Sequence, residues 1–130
     1  MGRIRQMMKV GGRDCWTLFD TGARNTYVVP EVASTLRTSR VERPFRTALG
    51  GEVKQTNQTA LLEGEVEGRG VSTHAMVIDE IGNDENGTRI EILFGALAMQ
   101  QWGIRLVPQE QKVDVSRYPE EIIEFSWARG

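Results

Sequence analysis

The stretch Cys15-Trp16-Thr17-Leu18-Phe19-Asp20-Thr21-Gly22-Ala23 decides how the rest of the chain is read. Its first five residues are apolar and β-prone, which predicts a strand buried in a core. That strand delivers the carboxylate of Asp20 to a turn made by Thr21 and Gly22. A carboxylate placed at the end of a buried strand must find hydrogen-bond donors or share a proton. No second Asp-Thr-Gly or Asp-Ser-Gly occurs in the 130 residues.

Working outward, short β-type segments recur with turn signals between them, which predicts an all-β sandwich or barrel. Arg3 to Val10 reads as a first strand closed by Gly11-Gly12, and Arg13 to Phe19 as the strand feeding Asp20. Thr26 to Val29 is β-branched and aromatic. Pro30 then opens a helical turn through Leu36, proline being well placed at a helix start. Arg43 to Leu49 and Glu52 to Gln58 flank Gly50-Gly51, a strong hairpin signal. Leu61 to Glu67 and Val71 to Ile78 form a further hairpin around Gly68-Arg69-Gly70. Ile90 to Phe94 is again a strand, ending at Gly95. Ala96 to Trp102 is a short helix stopped by Gly103. Ile104, Leu106, Val113 and Val115 mark the last strands, and the Glu120 to Phe125 tail fits helix and strand equally.

Composition narrows the function classes. A net charge of -2, with arginines scattered among acids, leaves no electrostatic footprint for nucleic acid. No apolar run reaches the roughly 20 residues that span a bilayer. The N-terminus lacks a secretory h-region, and Gln6 stands where a myristoylation signal wants Ser or Thr. Without such a signal, the sequons at Asn57 and Asn86 are read as chance. Cys15 is the single cysteine, so the chain forms no internal disulfide. These features predict a cytoplasmic protein without membrane or nucleic-acid partners, with Met1 as its initiating residue.

The order of three features, rather than one triplet, carries a resemblance. An apolar strand precedes Asp20-Thr21-Gly22-Ala23, with Thr26-Tyr27-Val28 close behind; a glycine hairpin follows at Gly50-Gly51; then comes Ile92-Leu93-Phe94-Gly95-Ala96-Leu97-Ala98, with Trp102-Gly103-Ile104. Over roughly Arg13 to Val107 the chain resembles the retropepsin-like (retroviral-type, clan AA) aspartic peptidases, and its wording looks more like the prokaryotic branch than the viral one. The resemblance implies one retropepsin-like domain over residues 1–130, with its core at 13–107 and a C-terminal extension at 108–130. It implies a closed barrel or sandwich with a flap hairpin and one short helix, forming half of a C2 dimeric acid protease. Asp20 takes the catalytic place, supported by Thr21, Gly22 and Ala23. In the family the threonine hydroxyl bonds across the subunit boundary, the glycine admits the peptide backbone, and terminal strands interleave between subunits. Ile4 to Val10 or the strand around Val113 suits that last role. The flap and groove set comprises Arg24, Val28, Leu49, Gly50 and Gly51. No metal or cofactor is implied; the partners are a second copy of the chain and a peptide or protein substrate.

Two departures qualify the carry-over. Viral members place an acid after the Ala and an Arg after the later Gly, and those two pair. Here the positions are Arg24 and Ala96, so both partners are missing together and no buried charge is left alone. Arg24 is expected beside the substrate path, favouring acidic or polar peptide positions. The Gly50-Gly51 hairpin is also expected to be shorter than the viral flap and to close less completely.

Other chemistries find less support. His74, the single histidine, has no nucleophile elbow to serve. Cys15 sits inside an apolar run and reads as packing. One His and one Cys far apart leave no zinc spacing. Gly82 to Gly87 lacks the spacing and closing Glu of a calcium loop and reads as a solvated connection. Two functions remain: an active homodimeric aspartic endopeptidase, or a catalytically silent dimer of that fold that binds peptide or serves as an assembly module.

Overall fold

A computed structural model describes residues 2–121. Strands β1 (Arg3–Val10) and β2 (Arg13–Asp20) form a hairpin across Gly11-Gly12, in register from Val10↔Arg13 to Arg3↔Asp20. β3 (Thr26–Val28) and the single turn α1 (Pro30–Ala33) follow. Then come β4 (Arg37–Leu49), β5 (Glu52–Val66) and β6 (Arg69–Val77). The short pair β7 (Gly82–Asn83) and β8 (Arg89–Ile90) precedes β9 (Ile92–Phe94), and α2 (Ala96–Gln101) follows it. β10 (Arg105–Val107) and β11 (Lys112–Asp114) end the described elements as a two-stranded pair.

The main sheet runs β1-β2-β9-β3-β6-β5-β4. Lys9 of β1 also pairs with Glu65 of β5, so six strands close into a barrel and β4 hangs outside it on β5. β2 and β9 run parallel, as do β3 and β6, while β3 and β9 are antiparallel.

Period-2 alternation explains how three central strands serve two apolar layers. Cys15 and Phe19 of β2, Val28 of β3, and Ile92 and Phe94 of β9 point into the barrel core. Leu18, Tyr27 and Leu93, their immediate neighbours, point to a second cluster outside the barrel, joined by Ile78 and Ile90. Strands buried on both faces read as nearly continuous apolar runs, which is how 15–19 and 92–94 look in sequence.

Three expectations need correction. Glu52 to Gln58 and Leu61 to Glu67 are one 15-residue strand, because Thr59 and Ala60 between them are no turn and continue the ladder with β4 and β6. β4 begins at Arg37 rather than Arg43, so the hairpin is long, with arms of 13 and 15 residues. Between Arg40↔Gln58 and Phe45↔Thr56 the register slips, where Pro44 has no N–H to give the ladder. β1 pairs with β2 along its full length and closes the barrel, so Ile4 to Val10 belongs to its own subunit's sheet. The barrel therefore begins before residue 13.

The segment beyond β11 is docked on the barrel. Tyr118 stacks on Trp102 with ring centroids 5.9 Å apart, and its hydroxyl donates to the Gly70 carbonyl at 2.6 Å. The Glu120 to Phe125 tail lies mostly outside the described residues.

Phe19 and Phe94 sit side by side in the β2–β9 register, fully buried, with ring centroids 5.3 Å apart. Phe19→Ala is expected to cost about 3–5 kcal/mol through lost burial and the cavity left behind. Urea unfolding checks this as a lower midpoint at unchanged slope.

Candidate functional site

β2 ends on Asp20, whose residue is 5 % exposed. Its Oδ1 accepts from the Gly22 N–H at 2.8 Å, and its Oδ2 accepts from Arg3 Nε at 3.1 Å. The turn is closed by Ala23 N–H donating to the Asp20 carbonyl at 3.2 Å. Arg3 is the register partner of Asp20 across the β1–β2 hairpin, which is why its guanidinium reaches the carboxylate.

Thr21 is held within its own chain. Its Oγ1 accepts from the Gly2 N–H at 2.8 Å, and its N–H donates to the Gly2 carbonyl at 3.0 Å.

The loop after Asp20 rests on the segment leaving β9. Ala96 and Leu97 donate their N–H groups to the carbonyls of Ala23 and Arg24, at 2.7 and 3.1 Å. Gly95 donates to Thr26 Oγ1 at 3.0 Å, a buried bond. A Cβ at Gly95 would strike the Asn25 carbonyl, so only glycine lets the two strand exits cross here. The apolar-Gly-helix segment thus lies beneath the Asp20 loop.

Above Asp20 lies a cavity of about 510 Å³. Gly22, Ala23 and Arg24 line it with Asp20 on the floor, and Ala48, Leu49 and Gly50 line it from the hairpin tip. Gly50 and Gly51 both have positive φ, 57° and 84°, the geometry of a tight two-residue hairpin turn that glycine enters freely. Gly51, the next residue, does not line the cavity. Val28 is no groove residue: it is 0 % exposed in the barrel core, and alternation gives the groove its neighbour Tyr27 instead. The Tyr27 hydroxyl meets Thr47 Oγ1 at 2.7 Å, tying the hairpin arm to the floor.

Residues missed in the sequence include Arg3, Arg5, Tyr27, Ile81 and Asn83, all lining the cavity. Asn83 stands on the Gly82 to Gly87 connection and Ile81 just before it, and that connection is ordered by Asp84. Asp84 Oδ1 accepts from the N–H groups of Thr88 and Asn86 at 2.9 Å each, and Oδ2 accepts from Trp16 Nε1 at 3.0 Å. Those donors, the Thr88 N–H foremost, hold its carboxyl below the usual range.

His74 is exposed on β6 and lines a separate cavity of about 450 Å³ with Ser72 and Arg24, and no carboxylate among the described residues lines it. Cys15 is 0 % exposed, and burial pushes its thiol up. Among the described residues no three His, Cys, Asp or Glu side chains cluster as a metal site. No helix among them is long and apolar enough to cross a membrane.

Two outcomes check this geometry. Thr26→Val leaves the buried Gly95 N–H without an acceptor and is expected to cost about 1–3 kcal/mol, read from the unfolding midpoint. Cys15 is expected to resist iodoacetamide at mildly alkaline pH until the chain unfolds. A raised thiol leaves stability intact below the ordinary thiol range, and stability falls as pH climbs through that range toward the folded value.

No protein-family model and no curated protein matches the sequence. Solved structures do match. The EIAV protease complexed with the inhibitor HBY-793 superposes with a TM-score of 0.59 at 17 % identity, over 82 % of this chain and 93 % of that one. The retroviral protease-like domain of Ddi1 from Leishmania major gives 0.61 at 10 % identity, over 89 % and 90 %. The foamy viral protease-reverse transcriptase dRH in complex with double-stranded DNA gives 0.50 at 12 % identity, over 80 % of this chain and 16 % of that chain. At such identities the likeness is one of architecture, and the chain has an all-β, retropepsin-like fold.

Proposed function

We propose that this chain is an aspartic endopeptidase that works as a homodimer, each copy supplying Asp20. One observation supports it most: among the described residues, Asp20 is the single carboxylate lining a cavity roofed by a glycine-tipped hairpin. Two carboxylates a few ångström apart share one proton, because like charges so close do not both ionise. The ionised half takes a proton from water as it attacks the scissile carbonyl carbon, and the protonated half gives its proton to the carbonyl oxygen. Water is the nucleophile, so no covalent intermediate forms. With one such acid per cavity, the second must come from a second copy related by a two-fold axis.

Exposed apolar side chains near the site fit an association of this kind. Val53, opposite Ala48 at the hairpin tip, is 64 % exposed, and Leu97, beside the Asp20 loop, is 48 % exposed. Substrate would lie extended between hairpin and floor, with alternate side chains in the groove lined by Arg24 and Leu49. The cytoplasm remains the proposed compartment.

The Arg3–Asp20 ion pair favours the second reading, a silent dimer of the same fold. It satisfies the carboxylate inside one chain. The Arg3 side chain is itself largely exposed, so Asp20 is not sealed off.

Cleavage of an unstructured protein from about pH 3 to about pH 8 separates the two readings. Activity on the acid side, falling by about 10²–10⁴-fold or more in Asp20→Asn, fits the peptidase. Specific activity should also drop on dilution as dimers dissociate. A stable dimer with no cleavage over that range supports the silent module, and a strictly monomeric active protein overturns both.

A further inference from the structure

We propose that the groove over Asp20 selects acidic peptide segments, with the guanidinium groups of Arg24 and Arg3 reading the carboxylates. The proposal rests on the groove being a peptide site, and it names the chemistry of the peptide.

The charge around the cavity runs against that of the chain. Overall the protein carries -2, yet three arginines line this cavity, and with Asp20 pairing Arg3 and Glu85 pairing Arg5 the charge of Arg24 is left over among the described residues. Arg3 spends one bond, from Nε, on Asp20 and leaves its terminal nitrogens toward solvent. Arg5 is pinned by Glu85, with Nη1–Oε1 at 3.2 Å and Nη2–Oε2 at 3.1 Å. Its Nε is buried and has no hydrogen-bond partner among the described residues. Arg24 is exposed and makes no ion pair among the described residues, although its backbone is fixed by the bond from Leu97. A fixed backbone and a free guanidinium suit a residue that meets a ligand.

The surroundings strengthen the effect. Leu18, Tyr27, Leu49, Ile81 and Leu93 place apolar side chains among the polar ones, and such low-dielectric patches strengthen the field of the charges beside them. β4, the strand leading to the hairpin tip, carries Arg37, Arg40, Arg43 and Arg46 against Glu42 alone, although none of the four lines the cavity. Guanidinium offers a planar fork that matches a carboxylate with two parallel bonds, which an amide side chain does not accept with full charge assistance. A two-fold dimer repeats the set, so the preference falls on both sides of the scissile bond.

The test uses the full-length wild-type protein and pairs of peptides identical except for Glu or Gln at flanking positions. Each pair is made once with an ordinary scissile amide and once with a non-cleavable reduced amide. For the non-cleavable pairs, anisotropy should show the Glu peptide binding about tenfold tighter or more, the size of one well-placed charge-assisted bond. That ratio should shrink as salt rises. Arg24→Gln should bring it down toward unity, and Arg24→Lys should keep an intermediate ratio. Equal affinities, no binding of either peptide, or tighter binding of a single-stranded RNA of equal charge would each overturn the proposal. The ordinary pairs separate this idea from the one beneath it. Acidic peptides bound but never cut would sink the peptidase and leave the groove. Cutting without charge preference would sink the groove and leave the peptidase.

Discussion

The crossing of two strand exits, where Gly95 passes beneath Asn25, is the constraint on which the site depends. β2 and β9 run parallel and leave the sheet at neighbouring positions, Phe19 and Phe94. The chain after Asp20 turns over the chain after Phe94, and N–H groups of residues 95–97 support it from below. Three hydrogen bonds and a missing Cβ fix the loop at Ala23 to Thr26, and through it the turn that presents Asp20. A carboxylate aimed from a loop alone would carry the loop's mobility; one aimed from this crossing carries the rigidity of the barrel.

The double burial of β2, β3 and β9 is the second half of that design. The inward face of each strand fills the barrel, and the outward face makes the apolar floor under the hairpin. Asp20 and Leu18 share the outward face, so the same alternation that buries Phe19 points the acid at the cavity. Floor and roof are then joined by Tyr27 and Thr47, a bond between a floor strand and a hairpin arm. The groove is thereby a product of sheet geometry, with the hairpin reaching back over the face that the barrel leaves outside.

Much of this was legible in the residues, and what was not has physical causes. The apolar run into Asp20, the Gly50-Gly51 turn and the Gly95 helix start are local signals, and local signals stand in a single sequence. Val28 and Tyr27 could not be sorted, because a strand buried on both faces shows no polar alternation to tell core from groove. Thr59-Ala60 looks like a break in β5 because small and hydroxyl residues resemble punctuation without the neighbouring strands that pair there. Arg3 was within reach: counting back from Gly11-Gly12 in two-residue-turn register places it opposite Asp20. The same count puts Arg5 opposite Leu18 on that face, but the ion pair that orients its guanidinium depends on Glu85 in a distant loop.

The surroundings of Asp20 separate what one chain accomplishes from what it leaves open. Within one chain the carboxylate has the Gly22 N–H on one oxygen and Arg3 on the other. Those donors stabilise a charge, and a charge alone is half of an acid–base pair. Water activation and carbonyl protonation ask for two groups in opposite protonation states, and identical groups acquire opposite states only by sharing a proton. His74 lies in another cavity, Cys15 is in the core, and Asp84 is occupied by its own turn. Under the proposed function, the equivalent acid of a second copy meets that need with the identical chemistry and symmetry that sharing demands. The exposed position of Arg3 then gains a meaning, since a guanidinium at the mouth of the site neutralises part of a dyad that carries one negative charge.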